Sequence, residues 1–329
     1  MVLADCLRKS SIKMLPLGCL GTAALTVSLS GASAKQIPGR DVTSLVPPTF
    51  EAGKGPVVAI DEAHKNTHTF STPSFRGLVE LLQRDGYQVS PFTESVTAQS
   101  LTGVHVLVLS EPGGWLGGYA SLSEQEIADL VQWIRDGGSL LLMLGHMPAP
   151  RHAERLIAAL GIGKWHDGYA MVELQDSLVG PINFWRAEFL PTGQPTIGPT
   201  GPQGGMGYQG ADAVMAMHPI TEGRAPTERV RRVATFVGSA FQLPPGAEGL
   251  LTMPRRAVSL TPPETPGAVP TITPQTPRVS VGGWLQGAVL KVGRGRVALF
   301  GDTALFSGGP AADNRTFVLN VMHWLVRLL

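Results

Sequence analysis

Val57-Val58-Ala59-Ile60-Asp61-Glu62-Ala63-His64-Lys65-Asn66-Thr67-His68 is the stretch on which the fold reading turns. Four apolar residues make a short buried strand. They run straight into two carboxylates, two imidazoles and an amide. In open α/β sheets, ligands bind outside the carboxyl ends of the strands. This stretch therefore predicts both a sheet and the edge at which it works.

Downstream, Thr72-Pro73 marks a helix start. Phe75, Leu78, Val79 and Leu82 repeat at helical spacing, and Gly86 stops the helix. Tyr87–Phe92 and Val104–Leu109 read as further strands, the second apolar throughout and so covered on both faces. Ser123-Glu124-Gln125-Glu126 is a capping box ahead of the stripe Ile127, Leu130, Val131 and Ile134. Gly137-Gly138 ends that helix, Ser139–Leu144 is the next strand, and Arg151–Leu160 a helix closed by Gly161. Strands alternating with amphipathic helices predict right-handed βαβ units. The exits at Asp61, Glu111 and Gly145-His146 then share one edge.

From 162 to 280 the helical period is lost. Gly and Pro crowd into Pro191–Gly210 and Thr261–Pro277, with short β-like pieces at Val233–Val237 and Leu250–Met253. This region reads as a β- and loop-rich insertion. Regularity returns with strands at Val281–Trp284, Gly287–Val292 and Arg296–Phe300, the last leading to Gly301-Asp302. Asn314 is placed to cap a final helix carrying Phe317, Val318, Val321, Leu325 and Leu328 on one stripe. The expected fold is α/β: a three-layer sandwich with a mostly parallel sheet, one domain over 55–329 preceded by a linker at 35–54.

The first 34 residues read as a secretory leader. Arg8, Lys9 and Lys13 precede the uncharged run Met14–Leu29, and Ala32-Ser33-Ala34 supplies a cleavage pattern before Lys35. The alternative is an uncleaved anchor, for which the run is short and diluted by Gly, Ser and Thr. The expected location is periplasmic or extracellular, with no membrane span after cleavage. Of 329 residues, 26 are basic and 25 acidic, for a net charge of +1. The leader accounts for three basic residues and Asp5, leaving 23 against 24 and a net charge of −1. Neither balance gives the basic footprint that nucleic acid requires. Both cysteines, Cys6 and Cys19, fall in the leader, so the mature chain is expected to be cysteine-free.

The candidate catalytic residues are Asp61, His64, His146 and Asp302, each just beyond a buried strand. A carboxylate beside an imidazole is the minimum for general acid–base work. Glu62, Asn66, His68 and Glu111 are candidate ligand-binding residues. A divalent metal is a candidate cofactor, with Asp61, His64, His68 and His146 as its ligands. Against each stands a plainer reading, in which the carboxylates cap backbone amides and the imidazoles face water. Gly113–Gly118 is either a lid or a plain connection. Trp115, Tyr119 and Trp165 either stack on a sugar ring or pack internally. There is no G-x-S-x-G elbow and no phosphate-cradling loop.

Val57–Ala63 with His64 and His68, Gly137–Leu142, and Gly293–Asp302 followed by Asn320–Leu325 resemble an uncharacterised family of exported proteins with a class I glutamine-amidotransferase-like, flavodoxin-like fold. His218-Pro219-Ile220-Thr221-Glu222-Gly223 is similar to a motif of trehalose-utilisation (ThuA-like) proteins of the same superfamily. The resemblance implies the fold over nearly all the mature chain. It does not imply glutaminase activity: the turn at Leu142–His146, where such enzymes carry their nucleophile, has no cysteine. The reading that follows is a small-molecule site, hydrolytic and directed at carbohydrate-like compounds. The alternative is a binding or assembly module of the cell envelope.

Overall fold

The computed structural model describes residues 27–28, 47–114, 122–176, 180–191, 207–208, 212–264, 271–307 and 313–329. Four strands of the amino-terminal half are β1 (Val57–Asp61), β2 (Gln88–Phe92), β3 (Val106–Ser110) and β4 (Ser139–Met143). The helices between and after them are α1 (Arg76–Arg84), α2 (Glu124–Arg135) and α3 (Glu154–Ala159). Near the carboxyl terminus, a strand at Gly295–Phe300 pairs parallel with β4, and a helix follows at Asn314–Leu325. The parallel order is β2, β1, β3, β4 and then the 295–300 strand, the flavodoxin-like arrangement.

Strand alternation explains the layers. Val58, Ile60, Val106, Val108, Leu141 and Met143 face one core with Phe75, Leu78 and Leu82 of the first helical segment and Phe317 and Val321 of the last helix. Ala59, Leu107, Leu109, Leu140 and Leu142 face the other, with Ile127, Leu130, Ile134, Leu156 and Ile157. The capping box at Ser123 forms as read, with both reciprocal bonds present. Thr72 precedes a short 3-10 turn at Pro73–Phe75 and makes no side-chain cap, so α1 begins only at Arg76.

The mostly parallel sheet is corrected by the structure to a large mixed one. The region 162–280 joins the main sheet. Beyond the 295–300 strand the order continues through antiparallel strands at Leu285–Val292 and Ala247–Thr252, then Val214–Met215. It reaches β5 (Trp165–Asp176) and β6 (Gly180–Pro191), an antiparallel pair of twelve residues each. Hairpins and meanders need no helical crossover, so the region that loses the helical period contributes antiparallel strands to the same sheet. Asn314 begins the last helix with a side chain turned elsewhere. Its Oδ1 accepts from the Ala234 amide at 2.9 Å and its Nδ2 donates to the Ala234 carbonyl at 2.8 Å.

The strand Gly238–Phe241 crosses very close to the exit of the 295–300 strand. A Cβ on Gly238 would lie 1.9 Å from the Gly301 carbonyl oxygen. The Ser239 amide donates to that same oxygen at 2.7 Å. Gly238→Ala must therefore push backbone against backbone. A stability loss of about 1–3 kcal/mol in urea unfolding is the expected result.

The expectation of a cysteine-free chain is also corrected. The chain whose structure this is runs from 1 to 329 and carries two cysteines, Cys6 and Cys19. Both lie outside the described residues. Val27–Ser28, within the same amino-terminal segment, pairs antiparallel with Thr271–Ile272.

Candidate functional site

The residues after β1 divide into a buried set and an accessible set. Asp61, the last residue of β1, is fully buried. Its Oδ1 lies 2.9 Å from His64 Nδ1, and its Oδ2 accepts from the His64 amide and from the Asn66 side chain. The other ring nitrogen, Nε2, lies 2.9 Å from Glu126 Oε1. Two flanking ionised carboxylates favour the form in which both ring nitrogens donate, the imidazolium. Burial pushes its pKa down, but the bonds and charges of Asp61 and Glu126 outweigh this and raise it. Glu126 also accepts from the Val96 amide at 3.2 Å and from the Ser123 amide and hydroxyl at 2.9 and 2.7 Å. Burial pushes Glu126 up, but His64 and the Ser123 bonds hold it down at about 2. Asn66 Oδ1 accepts from the Ser110 amide at 3.0 Å, tying the exit of β1 to that of β3. Glu62 accepts from the Ser71 amide at 2.7 Å, closing the loop over α1's entry.

The accessible set is centred on Glu111, the first residue beyond β3. Its φ of 54° is left-handed, a conformation that costs a non-glycine residue energy and clusters at functional sites. Oε1 accepts from the Thr303 hydroxyl at 2.9 Å. The same oxygen lies against Gly145, where a Cβ would come within 2.1 Å of it. The other oxygen, Oε2, faces His68 Nε2 at 3.9 Å, beyond hydrogen-bond reach, with the two side chains 12% and 27% exposed. His68 stacks on Phe75, its centroid 5.4 Å away, and its Nδ1 is bonded to Ser74 Oγ at 2.7 Å. Burial pushes His68 down, Glu111 pulls it up and His146 pushes it down, with a net lowering. His146, half-buried, stacks on Tyr169 at 4.4 Å with Nδ1 held by the Met147 carbonyl at 2.8 Å.

Asp302 lies behind this cluster and is 1% exposed. It accepts from the Leu305 amide at 3.0 Å and from the Phe236 amide. Burial, with Glu111 adding to it, pushes its pKa up to about 6 despite those bonds.

The structure thus brings His68, Glu111 and His146 to one accessible place. It engages Asp61, His64, Asn66 and Asp302 internally. The four proposed metal ligands do not surround one point: His64 is held by Asp61 and Glu126, while His68 faces Ser74 and Glu111. Among the described residues, no group of three or more His, Cys, Asp or Glu side chains is placed to hold an ion. Sequence reading missed Glu126 as a partner of His64, and Thr303 and Gly145 as the seat of Glu111. The only signal for the last two was their adjacency to Asp302 and His146. Trp165 packs on Phe241 at 4.3 Å and donates to Ser239 Oγ, which is the internal alternative. Trp115, Tyr119 and most of the Gly113–Gly118 loop lie outside the described residues. His218 accepts from the Ile220 amide at 3.1 Å and caps a four-residue turn, a local backbone role for that motif.

No family model matches the chain. No curated protein matches it by sequence. Among solved structures it is similar to the mmIFT52 N-terminal domain, at 15% identity and TM-score 0.52, over 83% of this chain and 97% of that one. Cytoplasmic protein STM1381 from Salmonella typhimurium LT2 is similar at 13% identity and TM-score 0.45, over 82% and 99%. A ThuA-like protein from Bacteroides uniformis is similar at 13% identity and TM-score 0.44, over 84% and 94%. The first of these shows a shared fold. Among the described residues, no helix is long and apolar enough to cross a membrane.

Proposed function

We propose that this is an exported protein that binds a small, carbohydrate-like molecule at the carboxyl edge of its parallel strands, with Glu111 as the anchor and His68 and His146 as the flanking groups. One observation carries the reading. Glu111 is a half-buried carboxylate in a left-handed backbone conformation, with one oxygen seated on Thr303 and the other facing the His68 imidazole at 3.9 Å. Asp61 and Asp302, at other exits of the same edge, have their oxygens taken up by their own chain. A carboxylate facing an imidazole whose pKa burial lowers is a candidate acid–base pair, and hydrolysis is the reaction class it suits.

The saturation of Asp61, His64 and Asp302 favours a second reading, a non-catalytic binding module using the same edge. The two differ in turnover, not in the location of the ligand. The test follows the imidazole resonances of His68 and His146 by NMR as glucose is added to millimolar concentration. Shifts in the wild type that vanish in Glu111→Gln support the site, and unmoved resonances in the wild type reject it. Without any ligand, Glu111→Gln should lower the His68 pKa further, because the one carboxylate that raises it is gone.

A further inference from the structure

We infer that Ser74 is a nucleophile for acyl transfer, with His68 as its base and Glu111 positioning that base, and that the bond cleaved is an O-acyl ester on a carbohydrate-like compound. The sugar rests on the reading just given; the nucleophile and the bond are added to it. Ser74 is half-buried in the 3-10 turn Pro73–Phe75, which runs directly into α1. Its Oγ lies 2.7 Å from His68 Nδ1. The other nitrogen of that ring, Nε2, faces Glu111 Oε2 at 3.9 Å. Glu111 is itself held through Oε1 by the Thr303 hydroxyl at 2.9 Å. Hydroxyl, imidazole and carboxylate thus stand in series, the order of a serine nucleophile, its base and the group that orients the base.

The tautomer of His68 decides whether this series can work. A carboxylate repels a ring lone pair and attracts a ring N–H, so Glu111 favours the proton on Nε2. Nδ1 is then the acceptor, and the Ser74 hydroxyl donates to it. The neighbouring Thr72 hydroxyl donates to the Thr69 carbonyl at 2.9 Å, and its oxygen stands 3.1 Å from Ser74 Oγ, farther than His68 Nδ1. The gap of 3.9 Å to Glu111 is long for a bond, but catalytic hydrogen bonds are often long before substrate binds. Two titratable groups act on His68, Glu111 from beyond β3 and His146 from beyond β4. Together with burial they leave its pKa lowered, the direction that keeps Nδ1 free to take a proton. In the reaction, Ser74 Oγ bonds to the ester carbonyl carbon as its proton passes to His68 Nδ1. The carbonyl oxygen becomes an oxyanion at the amino end of the helical segment that continues through α1, where the helix dipole favours negative charge. Collapse breaks the bond to the sugar oxygen, which takes the proton from Nδ1. Water, deprotonated by the same nitrogen, then displaces Ser74 and releases the acid.

The test uses the full chain with two probes. An alkyl fluorophosphonate, which loses fluoride to an activated serine, is followed by peptide mass mapping, and penta-O-acetyl glucose by release of acetate. The wild type should carry the adduct on Ser74 and release acetate. Ser74→Ala should lose both with its urea midpoint unchanged, and His68→Gln should slow acetate release about 100-fold. Glu111→Gln should lower the plateau of kcat/KM and move its ascending limb to lower pH, because the one carboxylate that raises His68 is gone. A merely structural role for Glu111 would leave that limb in place. No adduct on Ser74 in the folded wild type, no acetate released by it, or acetate release that survives Ser74→Ala overturns the nucleophile. If glucose still shifts the His68 and His146 resonances in that case, the binding site stands without it. Acetate release that depends on Ser74 while glucose moves neither resonance supports the nucleophile and rejects the glucose-binding reading instead.

Discussion

His64→Ala is expected to lose about 3–5 kcal/mol of unfolding free energy, the cost of removing one member of a buried ion network. The His64 ring is buried and lies 2.9 Å from Asp61 on one side and from Glu126 on the other, which together favour its charged form. Without it, a fully buried carboxylate and a second one beside it face each other across a vacated ring. Asn66 and the Ser123 cap still bond them, but neither brings a positive charge. Urea titration with an unchanged slope would report the loss as a lower midpoint. A loss below about 1 kcal/mol, the range of exposed pairs, would sink the reading of a buried ion network at His64.

The same network sets a pH profile. The folded-state pKa of His64 is raised above 6.5, so its contribution is whole below that value and is lost as pH rises through the folded pKa. Glu126 is depressed from 4.5 to about 2, so its contribution is whole above 4.5 and is lost as pH falls toward about 2. Both are intact between 4.5 and 6.5. Stability should fall on the alkaline side of that window in the wild type and stay flatter there in His64→Ala.

Asp302→Ala is the second large effect, with an expected loss of about 3 kcal/mol. It strips the acceptors from the buried amides of Phe236 and Leu305, and an unsatisfied buried donor costs about 1–3 kcal/mol. Asp302→Asn keeps one acceptor oxygen and should cost less. The pH dependence has the opposite sign to that of an ordinary paired carboxylate. Burial raises Asp302 from 3.8 to about 6, so the folded state holds the proton more tightly. Its effect favours folding at low pH and is lost as pH rises from 3.8 toward 6. Both variants should lack that decline. A fold-neutral Asp302→Ala with altered ligand affinity would restore Asp302 to the site proper.

The strands and helices that place the edge were readable locally. Val57–Ile60, Val104–Leu109 and Ser139–Leu144 are apolar runs of strand length, and Ser123–Glu126 announces its helix. The antiparallel extension was harder to read, because β5 and β6 sit where Gly and Pro crowd the flanks and no helix punctuates the chain. The candidate site was legible as a place, while the roles within it were not. Asp61 and His64 looked reactive because they are polar residues after a strand. That same position makes them reachable by Glu126, 62 residues beyond His64.

The sequence by itself determined the βαβ order, the edge where Asp61, Glu111, His146 and Asp302 emerge, and the capping role of Glu126. These depend on hydrophobic period and on bonds between residues three or four apart. Only the tertiary structure decided which polar groups are spent and which are open. Glu126 serves as both cap and counter-ion, Asp302 is consumed by backbone amides, and Glu111 has one oxygen seated against Gly145 and Thr303 and the other 3.9 Å from His68. The availability of a carboxylate depends on what surrounds it in space. Those surroundings come from strands far apart in the chain, joined only when the sheet closes.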